Sequence, residues 1–223
     1  TGTLKVAITD SPAFRDFSSV HINVTKVVAV PAGMEDTGDG SSGLVTVAEF
    51  PEGKDINILK LHFLQEALGG EVTLPVGRYN QIRLILANNP NNPPFKNYFI
   101  LSESGSQPVA MTTPGQQQTG HKINGHFTVE PGVLTTVLID FNPNEAIVKR
   151  GSTGMENLKP HGITMMQVLN NMNTGSSASI SGMILTPSFM PFSSARVTIK
   201  PRNPAAAEVS AGTVFGTYSG AGV

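Results

Sequence analysis

The chain has no cysteine, no tryptophan and little charge. Without cysteine there is no disulfide framework, no thiol nucleophile and no Cys-based zinc or iron–sulfur site. Without tryptophan, and with 11 Phe and 3 Tyr in 223 residues, an aromatic platform for sugars or bases is disfavoured. Charged side chains make up 14% of residues, against roughly 25% in an average soluble domain. The 15 basic and 16 acidic groups nearly cancel, which argues against nucleic acid or an anionic membrane as partner. No apolar run reaches the roughly 18 residues that a membrane-spanning helix needs.

What replaces the missing charge is Gly, Pro, Ser, Thr and Asn. That composition fits an exported bacterial protein better than a cytosolic enzyme. Thr1-Gly2-Thr3 leads straight into strand-like sequence, as expected of a mature or trimmed chain.

Alternation with period two dominates. Leu4, Val6 and Ile8 alternate before the stop at Asp10-Ser11-Pro12, and Val20, Ile22 and Val24 repeat the pattern. Further strands are expected over 43–49, 55–61, 78–87, 98–102, 120–130, 133–141 and 162–169. Turns are expected at Pro51-Glu52-Gly53, Pro75-Val76-Gly77 and Pro131-Gly132. One short helix is expected over Leu61–Leu68, ended by Gly69-Gly70. Many short strands at near-regular spacing predict an all-β, antiparallel β-sandwich of immunoglobulin or transthyretin type.

The expected organisation is a β-sandwich domain over 1–169, a linker over 170–179, and a partial second β segment over 180–223. That last segment holds strand candidates at 180–185, 195–200 and 209–218. Its 44 residues are too few for a separate sandwich, so it is either part of a domain or a source of donated strands.

Charge is also uneven. From Pro160 through Ala195 there are 36 consecutive residues without Asp, Glu, Lys or Arg, and five of the eight Met fall there. Edge strands normally carry charge to block unwanted pairing, whereas protein contacts are poor in charge and rich in Met. The expected assembly interface is Met165, Met166, Met172, Ile180, Met183, Ile184, Met190, Val197 and Ile199, with the bland alternative a last core strand and a polar linker.

Motifs for chemistry are scarce. There is no Gly-x-Ser-x-Gly, no phosphate loop and no dinucleotide fingerprint. His21, His62, His121, His126 and His161 form no metal-ligand spacing. His121 and His126, five apart, face opposite sides of a regular strand unless Asn124-Gly125 turns. The loop at Glu35, Asp36 and Asp39 has closely spaced oxygen donors and glycines, as weak calcium loops do, but lacks the full ligand pattern; a solvated turn is the simpler reading, and no cofactor is expected. Arg83 lies on a strand among apolar residues, where a guanidinium usually pairs with a carboxylate. Asp10 and Asp140 are the expected partners in a structural clasp rather than a catalytic set.

Several blocks carry a resemblance. Residues 2–12 (GTLKVAITDSP), 20–27 (VHINVTKV), 74–84 (LPVGRYNQIRL), 113–122 (TPGQQQTGHK), 127–132 (FTVEPG), 138–141 (LIDF) and 158–160 (LKP) occur in the order seen in the bacterial family called domain of unknown function 4382. The chain resembles that family over about residues 1–168. The resemblance implies an exported, often lipid-anchored β-sandwich and no activity; the family's usual lipidated Cys is absent from this chain. Residues 179–187 (SISGMILTP) and 194–199 (SARVTI) resemble the first half of a carboxypeptidase regulatory-like, or transthyretin-like, domain.

The expected function is therefore a non-enzymatic structural or adhesive protein of the cell surface or extracellular space, self-associating by strand addition. The alternative is a surface binding module for polysaccharide or another ligand, using the loops at 87–95 and 112–120.

Overall fold

The structure, a computed structural model, describes residues 1–10, 16–38, 40–61, 64–105, 107–113, 119–150 and 156–168. These residues belong to one unit, Thr1–Asn173. They form thirteen strands: β1 (Gly2–Asp10), β2 (Phe17–Pro31), β3 (Val45–Asn57), β4 (Glu66–Ala67), β5 (Val72–Leu74), β6 (Gly77–Leu86), β7 (Tyr98–Leu101), β8 (Val109–Thr112), β9 (His121–Val129), β10 (Leu134–Phe141), β11 (Ile147–Lys149), β12 (Glu156–Leu158) and β13 (Ile163–Val168). The fold is an all-β sandwich, as the alternation predicts.

The smaller sheet runs β13-β10-β1-β4, with β5 also on β1; the larger runs β11-β12-β8-β7-β2-β6-β9, with β3 on β2. Both sheets are mixed. β1 and β10 run parallel over Thr3–Asp10 against Leu134–Phe141, and β8 and β12 are parallel too. Alternation reports which face of a strand is buried but not the direction of its neighbour, so these parallel pairs carry no signal in the pattern.

Leu4, Val6 and Ile8 of β1, with Val137, Ile139 and Phe141 of β10, form one wall of the core. Val20, Ile22, Val24, Val27 and Ala29 of β2 and Ile82 and Leu84 of β6 form the other. Tyr79 stacks on Phe127 with ring centroids 5.1 Å apart, and Phe17 meets Phe99 edge to face.

Two local expectations change. The segments 43–49 and 55–61, separated in the sequence reading by a turn, contribute residues 45–49 and 55–57 to one strand, β3, while 58–61 leave the strand. The turn residues bulge out of its register between Lys54, opposite Val24, and Glu49, opposite Lys26. Pro51 is tolerated because β3 lies at an edge and needs no outward donor there. Gly53, at φ 78°, is required because a β-carbon would strike the Asn23 side chain. The second change is the helix expected over Leu61–Leu68. A 3-10 turn spans Ile58–Leu61, and Glu66 and Ala67 pair as β4 with Ile8 and Ala7. The Leu68 N–H also bonds to the Val6 carbonyl, so the small sheet claims the backbone a helix would use. The α-helix among the described residues is α1 (Pro143–Ala146), capped by the Asn142 side chain.

Candidate functional site

The expected clasp divides into two sites on different sheets. Arg83 is fully buried on β6. Its Nε donates to Gln81 Oε1 at 2.8 Å, and Nη2 donates to the Glu35 carbonyl at 3.1 Å. Lys122, opposite Arg83 on β9, donates to the same carbonyl at 3.1 Å. Gln81 in turn donates to Asn124. Neither Asp10 nor Asp140 takes part: they lie on β1 and β10 of the smaller sheet, Asp140 opposite Thr9 and Asp10 opposite Phe141. Burial, then the negative charge of Asp140, pushes the Asp10 carboxyl up to about 7. The expectation of an Arg83–Asp10–Asp140 clasp is thus corrected. Charge matching along the sequence could not tell which sheet each group joins, and an amide with a main-chain carbonyl replaces the carboxylate.

Glu35, the first of the three candidate calcium donors, is spent on structure. Its carboxylate accepts from Asn80 at 2.7 Å and from the Gly33 N–H at 3.1 Å. Hydrogen bonds from its own N–H, Asn80 and Gly33 hold it below the usual carboxylate range. Its carbonyl is already shared by two cations. Asp36 is exposed, and Asp39 lies outside the described residues. The Glu35 turn is a lock holding the loop after β2 against the outer face of the larger sheet, where Val28 and Val30 are buried beside Arg83 and Gln81. Among the described residues, no three His, Cys, Asp or Glu side chains group as a metal site would require.

Of the histidines among the described residues, which leave out His62, His121 is the unusual one. It is 1% exposed, neither ring nitrogen has a hydrogen-bond partner, and burial pushes its pKa down to about 4. β9 continues through Asn124-Gly125 with a register shift against β6 rather than a turn, and His121 is buried while His126 is exposed. His21 packs flat on Tyr98 and approaches Asp55 at 3.0 Å on the outer face of the larger sheet. Nearby, Asn89 organises the Asn/Pro-rich loop. Its Nδ2 donates to the carbonyls of Asn97 and Met111, and its Oδ1 accepts from the N–H groups of Lys96 and Asn97. Asn97 then accepts from the Asn23 N–H. Of the other expected loop, residues 114–118 lie outside the described residues.

The edges of the sheets are the remaining candidates. β3, at one side of the sandwich, lies near β4. Lys54 reaches Glu66 at 2.6 Å, and Gly69 sits so close to Ala48 that a β-carbon there would lie 2.6 Å from the Ala48 methyl. At the other side, β9 and β13 lie side by side, each at the end of its sheet. Among the described residues no backbone hydrogen bond joins them. Instead the Gln167 side chain spans the gap: Oε1 accepts from the Thr128 N–H at 3.0 Å, and Nε2 donates to the Thr128 carbonyl at 3.5 Å. An amide side chain thus takes the place of a neighbouring strand. Gly125 lets Met165 pack against β9, since a β-carbon there would stand 2.7 Å from Met165 Cγ.

Met165 therefore turns into the molecule and packs on the core, whereas Met166 is half-buried on the opposite face of β13. Met172, Ile180, Met183, Ile184, Met190, Val197 and Ile199, together with the expected linker and second β segment, lie outside the described residues. Sequence reasoning missed Gln167, since a neutral amide among apolar residues carries no charge signal. Gly125 did carry one, because a glycine inside a strand marks a close approach of another chain segment.

Among the described residues no helix is long and apolar enough to cross a membrane. The family model described as "Domain of unknown function (DUF4382)" matches residues 1–160. No curated protein matches the chain, and no solved structure matches it. The chain belongs to the DUF4382 family.

Proposed function

We propose that this DUF4382 protein is a non-enzymatic structural or adhesive component of the cell surface or extracellular space, and that it self-associates by inter-subunit strand addition. The observation that carries this reading is β13, which ends its sheet among the described residues, holds no charged residue, and continues into sequence that stays uncharged as far as Ala195. Edges that must remain solitary are usually blunted by charge, whereas strand addition needs an accessible backbone and neutral flanks. In this reading residues 180–223, part of a transthyretin-like segment, supply strands to another subunit, and no cofactor is needed. A head-to-tail contact of this kind that does not close gives fibres. Electron microscopy of the purified protein, with and without residues 180–223, tests it. Fibres or oligomers from the full chain alone are expected, and monodisperse particles from both would refute the reading.

A second reading, a surface binding module for a polysaccharide, draws support from the loop held by Asn89. Such a loop is pre-ordered, which lowers the entropic cost of binding. A glycan array, run with and without calcium, tests it, and an array with no hits removes it.

A further inference from the structure

Two strand edges meet at the β9–β13 seam without a ladder between them. Neither Ile123–Val129 nor Ile163–Val168 holds an Asp, Glu, Lys or Arg. The seam is bridged by one side-chain amide, Gln167 on Thr128, and packed by Met165 over Gly125. A side-chain bridge of this sort can be exchanged for main-chain bonds. A strand placed between β9 and β13 would offer both edges a ladder and would release Gln167. It would also join the two sheets at this side, removing both edges at once.

Resting on the self-association reading above, we propose that the β9–β13 seam is the acceptor and that the inserted strand is Ile180–Leu185 of a second copy of the chain. This donor segment lies inside the uncharged stretch, carries the apolar residues Ile180, Met183, Ile184 and Leu185, and meets the stretches 123–129 and 163–168, which hold no Asp, Glu, Lys or Arg. A charged donor would be desolvated there without a partner. Eleven residues, 169–179, separate Val168 from Ile180, enough chain to reach a neighbour.

The absence of native cysteine makes a direct test available. The position of a β-carbon on Gly125 lies 2.7 Å from Met165 Cγ, close to the roughly 3 Å between a β-carbon and the far sulfur of a disulfide. In the full chain, Gly125→Cys with Met165→Cys should therefore form one cross-link that locks the seam, with oxidation verified by mass. Sedimentation then compares wild type, oxidised variant and reduced variant, and fluorescence anisotropy follows a labelled peptide of residues 178–187.

The expected result is assembly of the wild type, with the oxidised variant monomeric and its reduction shifting it toward assembly. The peptide should bind the reduced form at least tenfold more tightly than the oxidised form. If oxidised and reduced forms assemble alike, the seam is not the acceptor, although self-association stands. If assembly is blocked by oxidation but the peptide binds neither form, Ile180–Leu185 is not the donor. If the wild type stays monomeric while the peptide binds only the reduced form, the seam accepts a strand but not from a second copy, and that part of the proposal is overturned. If there is neither assembly nor peptide binding, the self-association reading and the seam proposal both fail.

Discussion

The sandwich is closed differently at its two sides. At the β3–β4 side, closure uses charge and bulk: the Lys54–Glu66 pair, the Lys26–Glu49 pair at 3.3 Å, Pro51 within β3, and a register shift that bends the edge. At the β9–β13 side, closure uses neutral groups: the Gln167 amide and the Thr135 hydroxyl on Thr128, and Met165 over Gly125. The first set matches the devices by which proteins keep an edge from pairing with strangers. On the proposed reading, the second leaves an edge with which a foreign strand can pair. One sandwich can thus be solitary along one side and receptive along the other, and the difference lies in a handful of side chains rather than in the fold.

The strongest way to break the contrast is to displace β13 at its root. A β-carbon on Gly162 would stand 2.2 Å from the Ala146 N and 2.7 Å from the Asn142 carbonyl oxygen, all rigid backbone. Gly162→Ala should cost about 3 kcal/mol, seen as a lower urea midpoint, and should open the β9–β13 seam. Gly69→Ala attacks the other side, where the residue has φ 94° and abuts Ala48. Its expected cost is about 2 kcal/mol, without any gain in self-association.

Acid sharpens the comparison on a smaller scale, through two groups of opposite sign. His121, on the receptive side, has its folded pKa below the ordinary 6.5, so its contribution is complete above that value and is lost as pH falls toward 4. Asp10 in the small sheet has its folded pKa above the ordinary 3.8, so its contribution is complete below that value and is lost as pH rises to 7. Between about pH 4 and 6.5 the two slopes oppose each other, each at most about 1.4 kcal/mol per pH unit. Asp10→Asn should leave stability rising with pH across this window, and His121→Leu should leave it falling. Urea unfolding at several pH values measures both, and unchanged slopes in the two variants would contradict the assignment.

Smaller still is Gln167→Ala. Loss of the bridge to Thr128 should cost about 1 kcal/mol and speed assembly, read by light scattering. Lys54→Met should cost about 0.5 kcal/mol or less, because that pair is partly exposed, and the difference should vanish in high salt.

Much of this was legible in the sequence. Alternation at Leu4, Val6 and Ile8, and again at Val20, Ile22 and Val24, marks strands and their buried face, and the resemblance in the blocks from Gly2 to Pro160 agrees with the family match. The illegible part is relational. Nothing in residues 2–10 and 134–141 states that they run parallel. Leu61 and Leu68 suit a helix as well as the turn and strand they form. Arg83 demands a partner, but a sequence lists Asp10 and Asp140 more conspicuously than the Glu35 carbonyl or Gln81. Likewise the charge-free stretch flags β13, while the residue that closes its edge, Gln167, looks ordinary. Contacts made by amides and main chain leave little trace in composition.

Amide hydrogen exchange on the full chain, before and after assembly, tests the central claim most directly. The account predicts new protection at residues 125–129 and 164–168, with β3 (Val45–Asn57) unchanged. Protection gained along β3, or none gained along β9 and β13, would contradict it.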